Sequence, residues 1–356
     1  MRVGVIGCGA IAQLVHLPAY RDLEKAELVA VADVDAKRAE DTAKKFGAKY
    51  WYSDYKQLLA REDIDAVSIC TPNFLHCEQA VAAAEAQKSV LLEKPMAVTL
   101  EECDQIIDAC KKARVKLMIG FNSRFEAVNQ KVKKLLEDGT IGNIFQIRCL
   151  SAYSGPYDFW PAVTDWFYDS TKVGGGVLID AGIHYIDMVR WFMGDKAEVA
   201  EVTSIGGSLV KGLNVEDNAI VLLKFKHGSI GEIDVSWTYK GSAPSTEILG
   251  TGGGIFIRPP SSTLSVVPHT ALSEDLKGTI FPRFSSSVEE VMSYQKKKVE
   301  HFVDCVLNDQ EPLVSGYDGR ASLEIVLAAY ESMKTGSRVS LPLHPRKAEL
   351  KASASI

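Results

Sequence analysis

Arg2-Val3-Gly4-Val5-Ile6-Gly7-Cys8-Gly9-Ala10-Ile11-Ala12 is the stretch on which the fold turns. Its apolar run, 3–6, has the length of a buried strand and leads directly into a glycine turn that opens a helix from about residue 10. The roles are physical. Gly7 permits the tight turn, Gly9 lets a ligand approach the backbone, and Ala12, in place of a third glycine, is small enough for close helix-to-strand packing. Such a turn at a helix N-terminus cradles a pyrophosphate, because free N–H groups and the helix dipole favour negative charge.

The surrounding pattern supports this reading. Asp33 ends the next apolar run about 20 residues on, the spacing expected of an acid that binds the adenosine ribose hydroxyls. A carboxylate there repels a 2′-phosphate, which favours NAD. Lys37 and Arg38 follow closely and leave NADP open; they are either phosphate ligands or a solvated helix start. Thr71-Pro72-Asn73 ends the third strand, where Asn73 either reaches the dinucleotide or completes an ordinary turn. His76 follows it as a packing residue or a further cofactor contact.

Strand patterns at 3–6, 28–32, 66–70, 90–92 and 116–119 alternate with helical ones at 37–46, 76–87 and 100–113, which implies a parallel sheet covered on both faces. After about residue 121 the rhythm changes. Strict alternation over 218–226 and 229–237, joined at His227-Gly228, predicts an antiparallel hairpin with one covered face. The expected organisation is α/β: a Rossmann domain over 1–122, an α+β domain with a large, open, mostly antiparallel sheet over 123–343, and a poorly ordered tail over 344–356. The polar stretch 270–287 is expected to be a lid or surface loop.

Composition narrows the function. The 356 residues are 46% hydrophobic and 24% charged, with net charge −6 and no basic cluster, so nucleic acid is not an expected partner. No apolar window reaches the ~20 residues of a membrane helix, and no leader pattern opens the chain, which points to a cytoplasmic protein without a membrane role. Seven cysteines without paired C-x-x-C units suggest reduced thiols.

Two further constellations carry the chemistry. Glu93-Lys94-Pro95 follows the apolar run 90–92, so Lys94 would point into the crevice at the carboxyl ends of the strands. Burial and a nearby nicotinamide cation would both lower a lysine from its reference pKa of about 10.4, fitting Lys94 to act as acid/base or as a donor to an alcohol oxygen. Glu93 is its neighbour or a ribose contact. The second constellation is Gly174-Gly175-Gly176-Val177-Leu178-Ile179-Asp180-Ala181-Gly182-Ile183-His184. A helix beginning near Gly176 puts Asp180 and His184 on one face, continued by Asp187 and Arg190. They are a proton relay and substrate anchor, or a structural surface pair. No metal site is expected, since only two ligands are visible.

Together these motifs resemble the family of glucose-fructose oxidoreductase, inositol 2-dehydrogenase and the rhizopine-catabolism protein MocA. Further marks are Gly120-Phe121-Asn122-Ser123-Arg124-Phe125, Glu216-Asp217-Asn218 with the hairpin to Trp237, and Ala329-Tyr330-Glu331-Ser332. The resemblance implies Lys94, Asp180 and His184 as the catalytic set, an active site lying between the two domains, and a sugar, cyclitol or derivative as substrate. It also implies homodimers or homotetramers built on the open sheet. Where many members follow the tryptophan with arginine, Trp166 is followed by Phe167, which lends no support to an anionic substrate group there. Tyr153, Tyr157, Trp160, Trp166 and Tyr168 are sugar platforms or core filling. Asn122 and Arg124 close the fifth strand; Asn122 is a candidate substrate contact, and Arg124 contacts substrate or braces the domain interface. Two other classes remain open: a non-catalytic dinucleotide- and sugar-binding regulator, and an enzyme with permanently bound NAD performing net hydrolysis or internal oxidoreduction.

Overall fold

The computed structural model describes residues 1–156, 165–209, 213–240, 244–258, 263–268, 279–280 and 288–343. The chain forms two compact units. The first comprises Met1–Asn122 with Met292–Leu323, the second Ser123–Val291 with Glu324–Ile356.

The first unit is built on β1 (Arg2–Ile6), β2 (Glu27–Ala32), β3 (Tyr50–Tyr52), β4 (Ala66–Ile69), β5 (Ser89–Leu92) and β6 (Leu117–Ile119). Their order is β3-β2-β1-β4-β5-β6, and every pairing is parallel. Val3, Val5, Val67, Val90 and Leu91 are fully buried, as expected where helices cover both faces. The strand order reverses between β1 and β4, so the turns after those strands flank the crevice where such sheets bind ligands. β3 escaped the sequence pattern. It is a three-residue edge strand whose Tyr50 and Trp51 are exposed, leaving no alternation to detect.

The helix Leu100–Ala113 shows how local chemistry ends an element. Thr99 accepts from the Glu102 amide while Glu102 reaches back to the Thr99 amide, a reciprocal capping box. Arg114 closes the helix in the left-handed region at φ 56°.

The segment 292–323, expected in the second domain, packs with the first unit instead. The physical reason is specific pairing. Lys298 reaches Glu93 at 2.6 Å, Lys25 reaches Asp304 at 2.7 Å, and Lys116 reaches Glu311 at 2.8 Å. Val299, Phe302 and Val303 from the helix Val288–Leu307 are fully buried.

The second unit carries a nine-stranded sheet: β7 (Ile144–Ala152), β8 (Val199–Gly207), β9 (Asn218–Phe225), β10 (Ile230–Ser236), β11 (Ser245–Gly250), β12 (Gly253–Arg258), β13 (Thr263–Pro268), β14 (Thr279–Ile280) and β15 (Val339–Ser340). The order is β14-β13-β12-β11-β7-β10-β9-β8-β15. Among the described residues only the β7–β10 pairing is parallel. Alternation is clean in β9, where Ala219, Val221, Leu223 and Phe225 face inward and Ile220, Leu222 and Lys224 face out. The helix Ile183–Met193 packs against β7 and β10. The tail 344–356 and the expected lid, apart from β14, lie outside the described residues, as do Tyr157 and Trp160.

Candidate functional site

In the first unit, Gly7 sits at φ 89°, and a Cβ there would fall 2.8 Å from the Cys70 backbone. Only glycine serves that turn. At Gly9 a Cβ would meet no atom within 4 Å, so the turn's outer surface is open for a ligand to approach. Cys8 is buried, with its thiol pushed up to about 12 by burial and then by Asp33. It contributes backbone rather than sulfur chemistry. Helix begins at Ala10 and Ile11, and Ala12 is fully buried at the start of a π-helical turn, Ala12–His16.

Asp33 is fixed from three sides. Its carboxylate accepts from the Cys8 amide at 2.8 Å and the Asp35 amide at 3.0 Å, and Arg38 lies 3.1 Å away. Lys37 pairs with Asp41 at 2.8 Å. A pocket of about 340 Å³ beside these residues is lined by Gln13, Asp35, Lys37, Arg38, Asp41, Thr42 and Lys45. An open glycine turn and a carboxylate preset on its amide are what a dinucleotide requires, so the residues fit NAD.

Thr71, Pro72 and Asn73 follow β4 as expected. His76 is fully buried and wedged between two loops, with Nδ1 2.8 Å from the Pro95 carbonyl and Nε2 2.9 Å from the Thr71 carbonyl. Burial pushes its pKa down against those carbonyls, so the neutral ring donates to one of the two at a time. It ties together the loops that carry Asn73 and Lys94.

Glu93 does not face the crevice as a free carboxylate. Its Oε1 meets Lys298 Nζ at 2.6 Å and His16 Nε2 at 2.8 Å, while Oε2 accepts the Lys94 amide at 3.3 Å. His16 Nδ1 lies 3.0 Å from Ser68 Oγ, which lies 2.7 Å from the Tyr20 hydroxyl. One arrangement of hydrogens satisfies the whole row: Tyr20 donates to Ser68, Ser68 to neutral His16, and His16 with Lys298 to Glu93. Burial disfavours the Glu93 charge, but Lys298 and then His16 outweigh it and hold the carboxyl well below its usual range. A Cβ on Gly120 would come within 2.9 Å of this carboxylate, which explains the glycine in Gly120-Phe121-Asn122. Lys94 is half-buried at the carboxyl end of β5, and the Lys94–Pro95 peptide is cis.

In the second unit, three successive amides at the helix opening are satisfied by one residue. Gly176 N–H donates to Glu216 Oε2 at 2.8 Å, Val177 N–H to the Glu216 carbonyl at 2.9 Å, and Leu178 N–H to Oε1 at 3.0 Å. Tyr330 adds its hydroxyl at 2.9 Å. A Cβ on Gly175 would overlap the Tyr330 hydroxyl, and one on Gly176 the Glu216 carbonyl, which accounts for the glycine run. The sequence marked Glu216 and Tyr330 only as family signatures; their service as helix caps depends on contacts 40 and 114 residues apart.

The helix opens with a π-helical turn, Leu178–Gly182, before the α-helical Ile183–Met193. π turns of this kind are frequent at functional sites. Asp180 and His184 are both half-buried on this element. Asp180 Oδ2 accepts from the Tyr153 hydroxyl at 3.1 Å, and that oxygen in turn accepts from Trp237 Nε1 at 2.8 Å. Asp187, expected to continue the polar face, is fully buried instead. It forms a bidentate pair with Arg124 at 2.8 and 2.6 Å, which braces the turn Asn122–Phe125 against the helix. Asn122 is half-buried, and Trp166 stands edge-on to Phe167 at 5.4 Å.

Comparison with known proteins is consistent along the chain. Residues 1–121 match the oxidoreductase family with an NAD-binding Rossmann fold, and residues 129–256 match the GFO/IDH/MocA C-terminal domain. A myo-inositol 2-dehydrogenase from Thermotoga maritima is 33% identical, over 96% of this chain and 98% of its own. The NAD-dependent scyllo-inositol 2-dehydrogenase of Bacillus subtilis is 30% identical, over 96% of each. Among solved structures, a levoglucosan dehydrogenase in complex with NADH and L-sorbose superimposes with TM-score 0.85 at 25% identity, covering 96% of this chain and 99% of that one. With both domains matched and relatives aligned along almost its whole length, the chain belongs to the Gfo/Idh/MocA family of NAD-binding oxidoreductases.

Proposed function

We propose that this oxidoreductase oxidises a secondary hydroxyl of a sugar, cyclitol or sugar derivative, with Lys94, Asp180 and His184 as its catalytic residues. The observation that carries the reading is the full-length similarity to inositol 2-dehydrogenases, in a chain that has Lys94 after β5 and Asp180 with His184 near the opening of the helix that follows the glycine run.

NAD, when bound, supplies the nicotinamide carbon that takes up hydride. The chain does the rest. The turn Gly7 to Ala12 carries the pyrophosphate, Asp33 holds the adenosine ribose, and Thr71, Pro72 and Asn73 line the nucleotide between them. Glu93 and His76 contribute by holding the Lys94 and Asn73 loops. Lys94 binds the substrate hydroxyl, Lys94 and His184 share the proton it releases, and Asp180 anchors the substrate by a neighbouring hydroxyl. Asn122 and Trp166 line the substrate, and Arg124 acts through Asp187 as a brace. NADP is accommodated less well than NAD, because Asp33 opposes a 2′-phosphate. The protein works as a homodimer or homotetramer in the cytoplasm; its seven free cysteines fit a reducing compartment.

The test is a panel of myo-inositol, scyllo-inositol, levoglucosan and D-glucose, run with NAD and NADP separately and followed by nicotinamide absorbance. Lys94→Ala is expected to keep its NAD affinity and lose on the order of 10²–10⁴ in turnover. Near-normal turnover by that variant would sink the assignment.

A further inference from the structure

Trp237 follows β10 and is 5% exposed, although its ring carries a polar edge. The surroundings hold it firmly. Its amide donates to the Asp217 carbonyl at 2.8 Å, its ring meets Tyr168 edge-on at 5.9 Å, and Phe167 lies at 6.1 Å. Gly155, at φ 90°, passes so near that a Cβ on it would fall 3.3 Å from Trp237 Cβ. Tyr153 is tied to the same strand end, donating its amide to the Ser236 carbonyl at 2.9 Å.

An indole N–H donates and never accepts. Since Trp237 Nε1 takes a lone pair of the Tyr153 hydroxyl, the single phenolic hydrogen is turned toward Asp180 Oδ2. Burial, reinforced by Asp180, raises the Tyr153 pKa, so the phenol keeps that hydrogen. The row therefore has one direction: indole to phenol to carboxylate. Holding one oxygen of Asp180 stops rotation of the carboxylate and aims the other.

We infer that Trp237 and Tyr153 are positioning residues for Asp180, a donor-only relay that fixes its carboxylate as an acceptor in one orientation. This rests on the proposed role of Asp180 in substrate binding. It adds two residues that set that role from the sheet rather than from the helix, and it moves Tyr153 from contacting substrate to orienting the group that does.

The experiment uses Tyr153→Phe, Trp237→Phe, the double variant and Asp180→Asn, assayed with NAD and the fastest substrate of the panel above, with NADH affinity measured by fluorescence. Tyr153→Phe removes one oxygen and keeps the ring. It is expected to lower kcat on the order of tenfold or more, as loss of a hydrogen bond to a charged group does, while KM and NADH affinity change little. Trp237→Phe gives a smaller loss of the same kind. The double variant should equal Tyr153→Phe alone, because the indole has nothing left to orient. Losses that multiply in the double variant, or wild-type kcat in Tyr153→Phe, overturn the relay. Should Trp237→Phe fold poorly, Tyr153→Phe decides by itself through its split of kcat from KM. A fully active Asp180→Asn overturns the functional reading beneath it, which an inactive Asp180→Asn beside an unaffected Tyr153→Phe does not.

Discussion

Gly9 and Gly176 each open a helix and are glycine for opposite reasons. Around Gly9 there is empty space, so its lack of a side chain serves something outside the protein; at Gly176 the space is filled by the Glu216 backbone. Gly9→Ala should therefore leave the melting temperature nearly unchanged and weaken NAD binding about tenfold or more, since a methyl costing ~1.4 kcal/mol of pyrophosphate contact has that effect. Gly176→Ala should cost about 1–3 kcal/mol of stability or more, as overpacking against an immovable carbonyl does. Differential scanning fluorimetry with and without NAD separates the two. Equal losses of stability would show that the space at Gly9 has been misread. Residues of the first kind are legible in sequence, because Gly7, Gly9 and Asp33 owe their identity to a spacing along one βαβ unit. Trp237 and Lys298 are not, since each acquires its role from a partner 84 or 205 residues away.

At the scale of elements, apolar runs, alternation and helical rhythm are enough to place most strands and helices, because the parallel strands of the first unit are buried on both faces and the antiparallel strands and helices on one. The exceptions are short or remote: β3 is too short to alternate, and the helix Val288–Leu307 gives no sign of which unit it serves. Its Lys298 joins that helix to β5 through Glu93, and His16 joins the π turn to the same carboxylate. This buried junction makes stability depend on pH in a stated direction. Burial and Lys298 lower the His16 pKa from 6.5, and Glu93 is held below 4.5, so the folded protein binds fewer protons than the unfolded chain as acid is added. Stability from His16 is complete above pH 6.5 and declines below it; that from Glu93 is complete above pH 4.5 and declines below that. Thermal melts should accordingly fall between pH 7 and 5 and steepen under 4.5. His16→Gln, whose amide can still donate to Glu93, should flatten the first stage; an identical slope in that variant would refute the account. Lys298→Met, which strands the carboxylate, should cost about 3–5 kcal/mol near neutrality.

For the whole molecule, the open sheet of the second unit poses a question its own chain does not answer. Its inner face is covered, but on the outer face Ile205 is 79% exposed, and Ile220, Leu222 and Ile230 are each close to half exposed. Ile205 and Ile220 pair directly across β8 and β9, and Leu222 follows on the same face of β9, so these three form an apolar strip, with Ile230 opposite Lys224 beyond it. Around it run charged pairs, Arg148 with Glu232 and Glu247, and Lys224 with Glu201. A strip of this kind, rimmed by both signs of charge, suits a second copy of the same face, since a two-fold axis brings identical patches together. This patch supports the homo-oligomer proposed above. Light scattering behind size exclusion should give two or four times the 38.9 kDa chain mass. Ile220→Lys with Leu222→Lys should shift the mass toward 38.9 kDa and leave the far-UV spectrum intact, because both side chains already point away from the core. A wild-type protein that remains at the single-chain mass at micromolar concentration would rule the assembly out, and one whose mass ignores both lysines would move the interface to another surface.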